Sequence, residues 1–261
     1  MRPKSLQLLF FYILITTAVS AQGRLIWSEE FNDTVLKKSN WTIFTGYGSG
    51  NNGWGNNEWQ NYISDNISFK DGCLVITAKK TGDGQKMGDY TSARISSKSK
   101  QEFLYGRIEA RIKLPEGRGV WPAFWLLGTK AKWPDCGEID ILEYVGFDPE
   151  TAHSAIHTPS SFGETINKSL LKISGLEKEF HVYGINWTED KIEFYVDDPA
   201  KPFYTYDPQI KDNLTWPFIH PAYILINFAV GGNFGGRKGV DDSVFPQKMQ
   251  VDWVRVYSLD K

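Results

Sequence analysis

The sequence predicts an all-β fold, a β-jelly-roll sandwich of two antiparallel sheets, on three observations. Period-two alternation recurs along the chain, helical periodicity is nearly absent, and short β-branched or aromatic runs are separated by Gly, Asp and Pro turn signals. In residues 105–114, Ile108, Ala110, Ile112 and Leu114 alternate with Arg107, Glu109, Arg111 and Lys113. Successive side chains on a strand point to opposite faces, so this segment reads as a strand with one buried and one wet face. Residues 191–197 alternate in the same way, and residues 181–187 do so less cleanly. Residues 74–78, 222–230 and 251–257 are short apolar or aromatic strand candidates, and residues 170–180 are expected to hold one short helical turn. Many short strands joined by turns make a jelly roll, and the repeated alternation leaves one sheet with a wet face wide enough for a cleft.

Residues 1–21 read as a secretory signal peptide. Arg2 and Lys4 give a positive start, an apolar stretch runs from Leu6 to Val19, and Ser20 and Ala21 are small residues before Gln22. The apolar stretch is short for a membrane span, and Gln22 in place of a Cys gives no support to a lipid anchor. Residues 22–261 carry no internal repeat, low-complexity stretch or Pro/Ser-rich linker, so one domain is expected. The expected state is a secreted monomer, extracellular or periplasmic, with no membrane contact after cleavage. The net charge of -2 with interspersed signs offers no basic footprint for nucleic acid. Cys73 and Cys136 are too few for a disulfide framework and are read as two buried thiols. Aromatic residues make up 15% of the chain, with ten Trp. That is more than packing usually asks for, and sugar rings bind by stacking C–H faces on aromatic faces, so the composition leans toward carbohydrate.

Glu138, Asp140 and Glu143 stand in an otherwise apolar stretch. On a regular strand Glu138 and Asp140 share a face while Glu143 points the other way. A helix scatters all three. A β-bulge at Ile141 and Leu142 adds one residue and brings the three acids to one face. Glycosidic hydrolysis needs a carboxylate and a carboxylic acid flanking the scissile bond; a gap near 5–5.5 Å goes with a covalent intermediate and retention. A third acid between them shares a proton with one neighbour and keeps the other's pKa up. Acids beside Ile and Leu are costly to keep without such a use.

The run Val120-Trp121-Pro122-Ala123-Phe124-Trp125-Leu126-Leu127-Gly128, followed by Trp133-Pro134-Asp135-Cys136-Gly137-Glu138-Ile139-Asp140-Ile141-Leu142-Glu143, resembles the core signature of glycoside hydrolase family 16. Two residues between Asp140 and Glu143 match the laminarinase-type branch. Ser92-Ala93-Arg94, Tyr105-Gly106-Arg107, Asn227 to Asn233 and Val251-Asp252-Trp253-Val254-Arg255-Val256-Tyr257 follow in the family's order. The resemblance implies a substrate cleft on the concave sheet and a retaining endo-β-1,3-glucanase acting on laminarin-like or mixed-linkage glucan. It implies Glu138 as nucleophile, Asp140 as its hydrogen-bonding assistant and Glu143 as general acid/base, with no cofactor for catalysis. Trp121, Trp125 and Trp133 would stack on glucose rings. Asn57, Glu58, Arg94 and Asn233 would meet sugar hydroxyls or border the cleft, and His157 would sit beside the acids. The resemblance also implies a structural Ca²⁺ where the chain ends meet, held by Glu30, the Gly72 carbonyl and Asp252. The same chemistry on a galactan, a transglycosylase, and a glucan-binding protein without catalysis are the alternatives. The last usually lacks one or both catalytic acids, and all three acids are present here. Six Asn-X-Ser/Thr acceptor patterns, beginning at Asn32, Asn40, Asn66, Asn167, Asn186 and Asn213, have meaning only in a glycosylating host.

Overall fold

The alternating and β-rich segments form strands throughout, in a computed structural model that describes residues 23–259. The proposed signal peptide lies outside those residues. In chain order the strands are β1 (Leu25–Glu29), β2 (Thr42–Phe44), β3 (Gln60–Tyr62), β4 (Ile67–Lys70), β5 (Cys73–Lys80), β6 (Tyr90–Ser92), β7 (Arg94–Ser96), β8 (Glu102–Phe103) and β9 (Gly106–Lys113). They continue with β10 (Val120–Gly128), β11 (Glu138–Glu143), β12 (Thr151–His157), β13 (Lys168–Lys172), β14 (His181–Trp187), β15 (Ile192–Val196), β16 (Tyr204–Tyr206), β17 (Ala222–Val230) and β18 (Gln247–Tyr257). A ten-stranded sheet runs β16-β15-β14-β9-β18-β5-β6-β3, with β1 added on β18 and β4 on β5. An eight-stranded sheet runs β13-β12-β11-β10-β17-β7-β2, with β8 on β17. Every strand pair is antiparallel except β3 with β6. The result is the two-sheet all-β jelly-roll sandwich that the alternation predicts.

Between the sheets the core is filled by alternate residues of each strand. Ile108, Ala110 and Ile112 of β9 meet Ile139 and Leu142 of β11 and Ile224, Ile226 and Phe228 of β17 in one cluster. Each large side chain so buried stabilises the fold by about 1.5–3 kcal/mol. The aromatic excess divides between two tasks: Trp41, Trp187 and Trp216 are buried in the core, whereas Trp133 is exposed. Cys73 and Cys136 are both free and buried, as expected.

Two expectations are corrected. Residues 170–180 hold no helix: Leu170 to Lys172 end β13, and turns follow. The outer face of β9 is not wholly wet, because Arg107 and Glu109 are buried. Tyr195 of β15 donates its hydroxyl to Glu109, Arg107 donates to Asn186 Oδ1 at 3.3 Å, and the Arg107 guanidinium lies over Tyr257. Charged residues tolerate burial when they are paired in this way, and the partners come from strands that β9's own sequence does not name.

Candidate active site

The acid strand β11 starts at Gly137, whose φ of 73° is the left-handed region that favours glycine. A Cβ there would press on Phe218 and Pro217, at 2.7 and 2.8 Å. From that fixed start, Glu138 lies opposite His157 of β12, Asp140 opposite Ala155, and Glu143 opposite His153. Three steps along β11 are therefore matched by two along β12, and the register also breaks against β10 between Phe124 and Trp125. This is the expected bulge at Ile141 and Leu142. Ile139, Ile141 and Leu142 are buried, the first and last in the main core. The three acids are turned to the other side.

Each outer acid has its own indole. Trp133 Nε1 donates to Glu138 Oε2 at 2.5 Å, and Trp121 Nε1 donates to Glu143 Oε1 at 3.0 Å. That leaves the second oxygen of each carboxyl free of these bonds. Asp140, only 4% exposed, sits between them, and His157 Nε2 is 3.0 Å from its Oδ2 without the alignment of a hydrogen bond. Burial, then the charge of Asp140, pushes Glu138 up to about 8. The same two causes in the same order push Glu143 up to about 8, and burial pushes Asp140 up to about 7. His157 and the indole donors pull Glu138 and Glu143 the other way.

These raised values set a stability trend. Below a carboxyl's ordinary pKa, 4.5 for Glu143, folded and unfolded chains are both protonated. As pH rises toward about 8, the unfolded chain gives up protons that the folded chain keeps, so stability falls across that window. Glu143→Gln, which cannot ionise, is expected to melt about 3 °C or more above the wild type at pH 8 and level with it at pH 4. Calorimetry at both pH values checks this; an equal increment at both would show that ionisation is not its source.

The remaining sugar-site candidates group around the acids. Trp125 of β10 lies opposite Asp140, and its Nε1 donates to Asn227 Oδ1 of β17 at 2.8 Å. Arg94 lies between two rings, its guanidinium carbon 5.0 Å from the Trp125 centroid and 4.6 Å from that of Trp54. Asn57 Nδ2 donates to Asn233 Oδ1 at 2.9 Å, joining loops 176 positions apart in sequence. Gly231 permits this approach: its φ is 68°, and a Cβ would meet the Trp59 ring at 2.6 Å. Phe234 of the same loop packs edge-on to Trp121 at 5.6 Å, which brings the loop to the Glu143 end. At the other end Trp133, 46% exposed, offers a ring to solvent and meets Phe162 edge-on.

Glu58 is placed differently from expectation. It is 3% exposed and accepts from Gln60 Nε2 at 2.6 Å and the Tyr62 hydroxyl at 3.0 Å. Asn227 Nδ2 in turn donates to the Tyr62 oxygen at 3.1 Å. Glu58 thus anchors a buried chain that ends on Trp125, behind the surface a sugar would touch. Sequence reasoning passed over Trp54, Tyr62 and Asn227. Trp54 and Asn227 lie inside the motifs already quoted, and their placement depends on strands far apart in sequence.

Glu30, Gly72 and Asp252 do lie along the seam where β1, β5 and β18 meet. However, Glu30 accepts from Arg255 through both oxygens, at 3.0 and 2.8 Å, and Asp252 accepts from Arg111 at 2.5 Å. A guanidinium neutralises each carboxylate. No group of three or more His, Cys, Asp or Glu side chains capable of holding a metal occurs among the described residues. Oxygen donors of this kind suit Ca²⁺, but their side chains as arranged do not fit it.

Comparison with known proteins agrees with this geometry. The model for glycosyl hydrolases family 16 matches residues 55–255. A β-glucanase of Rhodothermus marinus is 39% identical over 250 residues, covering 89% of this chain and 84% of that protein. The crystal structure of a laminarinase from Flavobacterium sp. UMI-01 superimposes with a TM-score of 0.84 at 48% identity, over 90% of this chain and all of that one. A non-specific endo-β-1,3(4)-glucanase, SCLam, crystallised with a β-1,3-linked gluco-oligosaccharide at its active site, matches at 34% identity and a TM-score of 0.83, over 92% and 96% of the two chains. With the family model spanning the bulged acid strand and the sheets on either side of it, this chain belongs to glycosyl hydrolase family 16.

Proposed function

We propose that this chain is a retaining endo-hydrolase of internal β-1,3-glucosidic bonds in laminarin-like glucans, with Glu138, Asp140 and Glu143 as its catalytic carboxyls. The observation that carries the reading is the bulge in β11, which brings three acids to one face and leaves each outer acid one oxygen free of its indole. Glu138 attacks the anomeric carbon as the glycosidic bond breaks, while Glu143 gives its proton to the departing sugar oxygen. Glu143, now a carboxylate, takes a proton from water, which attacks the same carbon and releases Glu138. Asp140 moderates the charge of both neighbours. Trp133, Trp125, Arg94 and the Asn57–Asn233 pair provide rings and hydroxyl partners along the cleft. The β-glucanase and endo-β-1,3(4)-glucanase activities printed for the relatives support a glucan substrate.

Export through residues 1–21 and action as a secreted monomer complete the proposal. No catalytic cofactor enters it. A structural Ca²⁺ at the terminal seam would have to release Glu30 from Arg255 and Asp252 from Arg111.

Product analysis tests the function. Purified protein incubated with linear β-1,3-glucan, mixed-linkage glucan, cellulose and agarose is expected to release mixed oligomers early from the β-1,3-glucan and nothing from cellulose or agarose. Early-time NMR is expected to show the β-anomer first. Release from agarose alone would move the assignment to a galactan, and a first-formed α-anomer would exclude the covalent route.

A further inference from the structure

The bulge that assembles the site needs a device to hold it. A regular strand is the default arrangement, and a one-residue slip would return Glu143 to the core side. Ile141 is the one residue of β11 with no register partner on either neighbouring strand, β10 or β12. Its carbonyl accepts a hydrogen bond from Ser154 Oγ at 2.8 Å. Ser154 stands at the matching point of β12, between His153, opposite Glu143, and Ala155, opposite Asp140. It is the middle residue of the short side of the bulge, aimed at the middle residue of the long side.

Ser154 is 1% exposed, and its same-face neighbours Ala152 and Ile156 are core residues. An alanine would suit that apolar setting, and a hydroxyl there is unfavourable unless it is bonded. Water does not reach the site to replace it. We propose that Ser154 is a positioning residue for the hydrolytic reaction, its hydroxyl pinning the Ile141 carbonyl so that Glu143 stays on the face of Glu138 and Asp140. The inference rests on the reading of Glu143 as general acid/base and extends it to a residue that touches no substrate.

The test compares two substrates. Laminarin needs the Glu143 proton to expel its leaving sugar; a 2,4-dinitrophenyl β-laminaribioside does not, because its leaving group departs as a stable anion. Ser154→Ala is expected to lower kcat on laminarin by about tenfold or more with KM changed less than about twofold, and the first-turnover rate on the aryl substrate much less. Ser154→Thr, which keeps the hydroxyl, is expected to recover most of the laminarin rate. Ser154→Cys, close in volume with a weak donor, serves if the alanine variant does not accumulate. Equal losses on the two substrates, no loss, or no recovery with threonine would overturn the proposal. Glu138→Gln measured alongside separates the two failures: an active Glu138→Gln enzyme would remove the catalytic reading itself, whatever Ser154 does.

Discussion

Glu138→Gln is expected to reduce kcat on β-1,3-glucan by about 10⁴-fold or more while leaving oligosaccharide affinity within a few-fold. The substitution keeps size and shape. The new amide carbonyl still accepts the Trp133 N–H that now reaches Glu138 Oε2 at 2.5 Å. The amide nitrogen that replaces the other oxygen has no available lone pair, so no bond to the anomeric carbon forms and the first step stops. Binding should survive because the rings and polar partners of the cleft, Trp125, Trp133 and Arg94, are untouched. Affinity is readable from the fluorescence of exposed Trp133 as laminari-oligosaccharides are added. Removing a buried carboxyl that burial has pushed up to about 8 also removes a source of instability at neutral pH, so the inactive protein should be no less stable than the wild type. More than about 1% residual turnover, with contamination excluded by a second preparation, would require a different nucleophile.

How much of this was legible in the sequence depends on how local each cause is. The alternation of Ile108, Ala110 and Ile112 reports the two-fold repeat of a strand, which is a property of the segment itself. The bulge was legible for a sharper reason: no regular element places Glu138, Asp140 and Glu143 on one face, and Ile141 and Leu142 are the only residues available to bulge between the last two. What the sequence concealed are partners from other strands. Arg107 and Glu109 alternate like a wet face, yet Tyr195, Asn186 and Tyr257 bury them. Glu58 resembles a sugar ligand by motif, but Gln60 and Tyr62 turn it inward. Glu30 and Asp252 resemble cation ligands until Arg255 and Arg111 are seen to occupy them. Ser154 gave no signal at all, because its use depends on a register mismatch that exists only once β11 and β12 have paired.

Glu143→Ala is expected to separate the two halves of the reaction, and the pattern distinguishes an acid/base from any structural acid. On laminarin the loss should be about 10²–10⁴-fold, since the departing sugar oxygen must leave without a proton. On 2,4-dinitrophenyl β-laminaribioside the first step needs no proton and should stay fast. Glu138 is then glycosylated, and water, lacking a base, attacks slowly. The expected trace is a burst of dinitrophenolate equal to the enzyme concentration, followed by a slow steady state. Azide needs no base and fits the space the shortened side chain vacates, so it should accelerate the slow phase and yield a β-glycosyl azide. The pH profile gives an independent reading. Burial and Asp140 hold the Glu143 proton up to about 8, so wild-type kcat/KM should persist through neutral pH and fall as pH rises past that value. That basic limb should be absent from the variant acting on the aryl substrate. A variant unaffected by azide would deny Glu143 the base role. An α-azide product would mean that attack occurs on the face opposite Glu138 without a covalent intermediate, and the retaining assignment would fall with it.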